Sequence, residues 1–347
     1  EQFKDFKSVG IGTGPFMVKE FKTDQFTLLE RNPDWKEMGE DGKPLPYIDN
    51  LQVFLGSDYA AEVAAMRTGA VDLNGVQGFR KLDADLLKQS NPKLIGYNDT
   101  VAAVWGLHVN HGRPPFGDPR VRKALAFALN GDDIIDNHRG GAIRSGFLPA
   151  ALRDYAWPSE KVREKFKPDL EQARKLLADA GYSATKPLEF ALKSGPNEQQ
   201  SDVELLQKQL EAAGIKARIS IEQVSSSVVV SRGDYDVAYA AITPSSYFPD
   251  RWFGGAIRTK GSQNYINLSD PKLDELSLAQ AREMDVAKRK QIIDQIQDQM
   301  FDQMAYVPIM NRLYFRFYSC RTRGMKPTHQ SLDLRGVDRA WLDQSAC

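Results

Sequence analysis

Residues 16–30 alternate apolar and polar side chains in two short runs, FMVKEF and FTLLER, separated by KTDQ. A period of two over runs of this length predicts two strands joined as a hairpin. A polar, proline-containing loop runs from Asn32 to Pro46, and IDNLQVFL then reads as a third strand. In YAAEVAAMRTGAVDL the period changes. Ala61, Ala64, Ala65 and Met66 fall on one helical face that stops at Gly69, after which AVDL resumes extended structure. The result is a strand, helix, strand unit.

The same grammar continues downstream. AVWGLHVN at 103–110 is a strand, and Asp118 with Pro119 forms an N-cap and first-turn pair for RVRKALAFALN, whose Val121, Leu125, Ala128 and Leu129 recur at helical spacing. Two segments, ARKLLADAGYSATKPLEFALKS and LLQKQLEAAGIKARISIEQV, each run a helix into a glycine (Gly181, Gly214) and then a strand. YDVAYAAI at 235–242 is a strand, SDPKLDELSLAQA a helix opening on Asp270 and Pro271, and VAKRKQIIDQIQDQMFDQM a longer helix with Ile292, Ile296 and Met300 in register. YVPIMNRLYFRFY closes the series as a strand. Helix and strand alternating in this way predict an α/β protein. Residues 1–110 are expected to form part of a first lobe, 111–312 a second α/β lobe, and 313–347 to return to the first, so that two crossings form a hinge.

Length agrees: 347 residues exceed one ordinary core. Composition narrows the class of partner. With 46 basic and 46 acidic side chains there is no net charge to favour nucleic acid or an anionic membrane. The longest apolar runs, such as VAAVWGLHV and KALAFAL, fall short of the ~20 residues a membrane span needs. No basic, apolar and cleavage-site succession begins at Glu1, so an export signal is expected to have been removed or to lie outside the chain. The two cysteines, Cys320 and Cys347, suit one disulfide stapling the C-terminal segment, or else two separate thiols with the terminal one free.

Candidate chemistry is sparse. SVGIGTGPFMVKEF has the glycines of a phosphate loop, but Pro15 removes an N–H donor and the following residues have strand spacing, so Gly10, Gly12 and Gly14 are read as a corner leading into a strand. His108 and His111 stand three apart on a strand, which points their rings to opposite faces and argues against a shared metal. No hydrolase, zinc or nucleotide motif is present, and most carboxylates stand beside Lys or Arg at helical spacings, as on a solvated face. No catalytic residue, metal or cofactor is therefore expected.

The stretch that asks for a function is AAITPSSYFPDRWF, Ala240 to Phe253. It follows a strong strand, and ligands of α/β lobes bind at the carboxyl ends of strands. Its hydroxyls and rings suit an uncharged or zwitterionic organic solute; the alternative is a rigid loop whose rings pack on its own lobe. The candidate ligand-binding set comprises Trp105, His108, Asn110, Ile242, Thr243, Ser245, Ser246, Tyr247, Trp252, Asn264 and Tyr265.

Taken in order, GTGPFMVKEF, LLERNPDW, GKPLPYIDNLQV, AAMRTGAVDL, HVNHGRPPFGDPRVRKALAFALN, DLEQARKLLADAGY and NLSDPKLDEL closely resemble the extracytoplasmic solute-binding proteins of the peptide, opine and nickel class (family 5) of ABC importers. The resemblance implies a two-lobed periplasmic-binding-protein-like fold of class II, cluster C type, closing around a ligand. The family's GTGPF segment comes well into its chains, so the first lobe's N-terminal strand and the inserted small domain are expected to be missing here. The resemblance further implies a periplasmic or extracytoplasmic protein, associated with the membrane through an ABC permease, that captures a peptide-like, opine or sugar-like solute and is not an enzyme. In peptide-binding members a Trp and an Asp of the loop matching AAITPSSYFPD serve the ligand, the Asp neutralising its α-amino group. The matching places here are Ile242 and Ser245, so a peptide held by its N-terminus in that way is not expected unless Asp250 or another group substitutes. The rivals are a carboxylate-based hydrolase and a non-transport solute-sensing or chaperone module.

Overall fold

In the computed structural model, which describes residues 12–55, 58–74, 78–100, 102–138, 140–152, 154–196, 200–242, 248–325 and 336–347, the period-two segments near the start pair as expected. Strands β1 (Phe16–Lys22), β2 (Phe26–Arg31) and β3 (Asn50–Phe54) form an antiparallel three-stranded sheet. The corner before β1 is held by Asn32, whose backbone N–H and side-chain amide donate to the carbonyls of Pro15 and Gly14. At the described glycines of this corner a Cβ would meet nothing, at Gly12 or at Gly14, and Gly14 has no positive φ, while Gly10 lies outside the described residues.

The chain divides into two compact units, residues 1–99 with 314–347, and residues 100–313. The first boundary lies ahead of the 104–109 strand rather than near Asn110, because that strand is hydrogen-bonded into the second unit's sheet.

Unit 1 continues from the three-stranded sheet with α1 (Tyr59–Thr68), capped by the Asp58 side chain and ended by Gly69 at φ 74°. Two elements follow that the sequence pattern did not announce, α2 (Lys81–Ser90) and β4 (Ile95–Thr100). AVDL, expected to be a strand, forms only an isolated bridge from Leu73 to Tyr318. Met66, Phe79, Ala84, Leu87, Leu94 and Phe317 make this unit's core. The C-terminal segment carries a small hairpin, Thr322–Arg323 with Trp341–Leu342, and a Cys320–Cys347 disulfide.

Unit 2 is a mixed sheet with helices. Its elements in chain order are β5 (Val104–Val109), α3 (Pro119–Phe127), α4 (Gly131–Asn137), β6 (Ala142–Arg144), α5 (Ser159–Lys165), α6 (Leu170–Asp179), β7 (Glu189–Ser194), α7 (Gln200–Ala212), β8 (Lys216–Ile221), α8 (Ser226–Arg232) and β9 (Val237–Ile242). After them come a short α9 (Pro249–Arg251) leading into a π-helical turn (Trp252–Ile257), α10 (Pro271–Arg282), α11 (Val286–Gln303) and β10 (Val307–Tyr318), whose last residues belong to unit 1. The strand order β10-β5-β9-β7-β8 has antiparallel pairs at β10/β5 and β5/β9 and parallel pairs at β9/β7 and β7/β8, with β6 also on β10. β5 is buried along its whole length, as a central strand covered on both faces should be. Gly106 marks the closest approach, since a Cβ there would collide with the Val307 carbonyl oxygen. The capping expectations hold: Asp118 accepts from Arg120 N–H, Asp270 caps α10, and Gly181 and Gly214 adopt φ near +90° after α6 and α7. Buried Arg122 turns back to donate to the carbonyls of Phe116, Gln303 and Met304, satisfying the C-terminal end of α11.

Candidate ligand site

A cleft of about 280 Å³ opens on unit 2 beside β5 and β9. Its apolar wall comes from Val228 and Val230 of α8, Ala241 of β9, Ala256 of the π-helical turn, and Ile266. Its polar groups are His108, Ser227, Ser231, Gln263 and Tyr265. This matches the character of small-molecule sites, mostly apolar with a few placed polar groups.

His108 is the unusual member. β5 alternates its side chains, and His108 lies across from Ala238 of β9 at only 4 % exposure. Neither ring nitrogen has a hydrogen-bond partner. Burial pushes its pKa down to about 3, so the imidazole is neutral at physiological pH. Its ring lies 6.4 Å from that of Tyr306, near parallel. Both nitrogens are themselves buried behind the cleft wall; a buried polar group left unpaired costs about 1–3 kcal/mol, which a partner reaching the ring from the cleft would relieve. His111, three residues on, is different: its Nε2 lies 2.9 Å from the Ala305 carbonyl, and burial together with Arg122 pushes its pKa down to about 4.

A second polar cluster ties the strands of unit 2 together. Asp202 of α7 is fully buried and accepts from Tyr239 (2.9 Å), Arg312 (3.3 Å) and Asn137 (3.1 Å), with His138 Nε2 at 3.0 Å. Burial pushes its carboxyl up, but the His138 hydrogen bond and the Arg312 charge outweigh that and hold it below the ordinary range. Arg312 lies over the Trp105 ring at 4.7 Å.

The other expected ligand residues are scattered. Tyr265 does line the cleft, while its carbonyl accepts from the Tyr235 hydroxyl. Trp105 is buried on β5 under Arg312. Asn110 spends its side chain inside the fold, donating to the carbonyls of Gly233 and Tyr235 and accepting from Gly112 N–H and Asn267. Asn264 likewise clamps its own loop through Arg258 and Leu268. Trp252 has no exposed surface and is a core residue of the unit, so a direct contact with solute does not fit its placement. Ile242 ends β9. Thr243, Ser245, Ser246 and Tyr247 lie outside the described residues. Asp250, the suggested substitute carboxylate, is engaged by Arg289 at 2.6 Å and Gln280 at 2.9 Å. Ser227, Ser231 and Gln263 were not anticipated. SSSVVVSRG does place Ser227 and Ser231 at helical spacing, but its run of valines reads more readily as a strand.

With this geometry in hand, the chain compares with known proteins as follows. A family model described as bacterial extracellular solute-binding proteins, family 5 Middle, matches residues 1–264. The di/tripeptide-binding protein 2 of Pseudomonas aeruginosa is 27% identical over 351 residues, covering 98% of this chain and 63% of that protein. The oligopeptide-binding protein AppA of Bacillus subtilis is 25% identical over 354 residues, covering 96% and 62%. Among solved structures, the ABC transporter-associated periplasmic binding protein DppA from Helicobacter pylori in complex with peptide STSA superposes with a TM-score of 0.80 at 20% identity, over 96% of this chain and 63% of that one. The fold is thus the two-lobed, periplasmic-binding-protein-like α/β fold, and the chain spans a little under two thirds of the length of these relatives.

Proposed function

We infer that this chain, which belongs to the bacterial extracellular solute-binding proteins of family 5, is the solute-capturing component of an ABC importer. It takes up a peptide-like or other small organic solute outside the cytoplasm and hands it to a membrane permease, without altering it. The observation that carries this reading, beyond family membership, is the unit 2 cleft, which pairs an apolar wall with uncharged hydrogen-bonding groups and a buried imidazole lacking a partner. That is a surface built for holding rather than for chemistry. General acid–base or nucleophilic catalysis needs a group poised to exchange a proton near the working pH, and His108, with its pKa near 3, is not so poised.

The names of the relatives, di/tripeptide-binding and oligopeptide-binding, support a peptide or peptide-like solute. The commitment of Asp250 to Arg289 supports a solute whose amino group, if it has one, is not neutralised there. The test is to denature the purified protein and identify by mass spectrometry the small molecule released, then to incubate fresh protein with that molecule. Release of one compound in near-stoichiometric amount, recovered unchanged, is the expected result. Steady conversion of the compound would establish the hydrolase reading instead.

A further inference from the structure

The cleft carries a statement about the solute that family membership does not. Among the described residues its lining contains no Asp, Glu, Lys or Arg. A carboxylate or ammonium entering it would lose water and gain no opposite charge, which is unfavourable in a low-dielectric wall. A purely apolar group would satisfy Val230, Ala241 and Ile266 but leave both nitrogens of His108 unmet. A neutral imidazole offers one N–H donor and one lone pair. Whichever tautomer the ring adopts, a group that can both accept and donate meets the nitrogen it faces.

We propose that this cleft is a subsite for a neutral group of the solute that both donates and accepts hydrogen bonds, of carboxamide or hydroxyl type, seated against the His108 imidazole. The inference rests on the solute-capture reading above and narrows the substrate class within it. Ser227 and Ser231 stand one helical turn apart on α8; the Ser231 hydroxyl donates to the Val228 carbonyl and is left to accept, Ser227 shares a hydrogen bond with Ser225, and the Gln263 amide can donate or accept toward the incoming group. Ala241 and Ala256 keep the approach open with small side chains. The low pKa of His108 supports the choice of a neutral partner, because the ring offers no positive charge to an anion above about pH 3.

Simple aromatic probes that differ only in the appended group isolate this property from the rest of the solute: benzamide, benzyl alcohol, benzoate, benzylamine and toluene. The full chain, labelled with nitrogen-15 in its four histidines, reports directly on the ring nitrogens of His108. Benzamide and benzyl alcohol should shift the His108 signals saturably. Benzoate, benzylamine and toluene should bind roughly tenfold or more weakly, the worth of about 1.4 kcal/mol. His108→Leu should abolish the preference for benzamide over toluene, and the wild-type shifts stand as evidence even if that variant folds poorly. Equal binding of benzoate or benzylamine, or benzamide that leaves the His108 signals unmoved, overturns the proposal. The two readings fail separately. A responsive His108 in a protein that retains no solute refutes capture and keeps the subsite, while a retained solute with a silent His108 does the reverse.

Discussion

Lowering the pH from 7 to 5 should weaken unit 2 far more than its carboxylates explain, because two of its histidines are buried as neutral rings. His108 is pushed down to about 3 and His111 to about 4, both from 6.5. The unfolded chain therefore takes up protons below about 6.5 that the native chain refuses, and stability falls with pH through this window. At pH 5 the unfolded rings are about 1.5 pH units below their midpoint, which amounts to about 2 kcal/mol for each histidine. The pair thus removes about 4 kcal/mol of a total that is commonly 5–15 kcal/mol. Because pH 5 lies above both native-state values, the result depends on the unfolded reference rather than on how far below 5 each ring titrates. Asp202 does not enter this window. Its carboxyl is lowered from 3.8, so its stabilisation is present above that value and is lost only as pH falls through its still lower native value. Urea denaturation at pH 7, 6 and 5 measures the effect, and His108→Leu supplies the control. The variant can be more or less stable at pH 7, but its loss between pH 7 and 5 should be smaller than the wild type's by about 2 kcal/mol. The same loss in both proteins would refute the claim that His108 is buried and neutral.

Two further expectations follow from the packing. Gly106→Ala should destabilise unit 2 by about 1–3 kcal/mol or more, since the added Cβ meets the Val307 backbone where β5 and β10 approach and neither strand can give way cheaply; a urea midpoint equal to wild type would contradict it. Reducing the Cys320–Cys347 disulfide, which spans 27 positions in sequence, should destabilise unit 1 by about 3 kcal/mol through the entropy of the opened loop. Intact mass before and after alkylation shows the bond, and a unit 1 transition unchanged by reductant would count against its stabilising role.

Much of this fold is legible because its signals are local. The hairpin at 16–31, the Asp118 and Asp270 caps and the glycine stops at Gly181 and Gly214 each depend on neighbours within a few positions. What escaped reading depends on partners far along the chain. Helix α8 is a valine-rich run of seven residues whose helical state is set by packing Val229 and Val230 onto Tyr235, Ala238 and Ala240. AVDL looks like a strand, yet only Leu73 finds an edge to bridge. The division of the chain at 99/100 lies ahead of the crossing expected near Asn110, because a strand is equally extended on either side of a crossing and only its hydrogen-bond partners assign it. The site was harder still. Trp252 and Asn110 look like ligand residues by type, but burial and internal hydrogen bonds commit them to the fold. His108 was identified by type and position, whereas its lack of a partner is a property of the surrounding wall that no spacing encodes.

Capture of a small solute without turnover is tested most directly by native mass spectrometry of the chain incubated with an equimolar mixture of N-acetylated and free tripeptides whose central residue is Gln, Ser, Leu, Glu or Lys. A solute-capturing protein with this cleft should give one-to-one adducts enriched in the Gln and Ser members, release them intact on activation, and lose the enrichment in His108→Leu. Absence of any adduct, adducts formed without preference among the five, or recovery of cleaved peptides would contradict it.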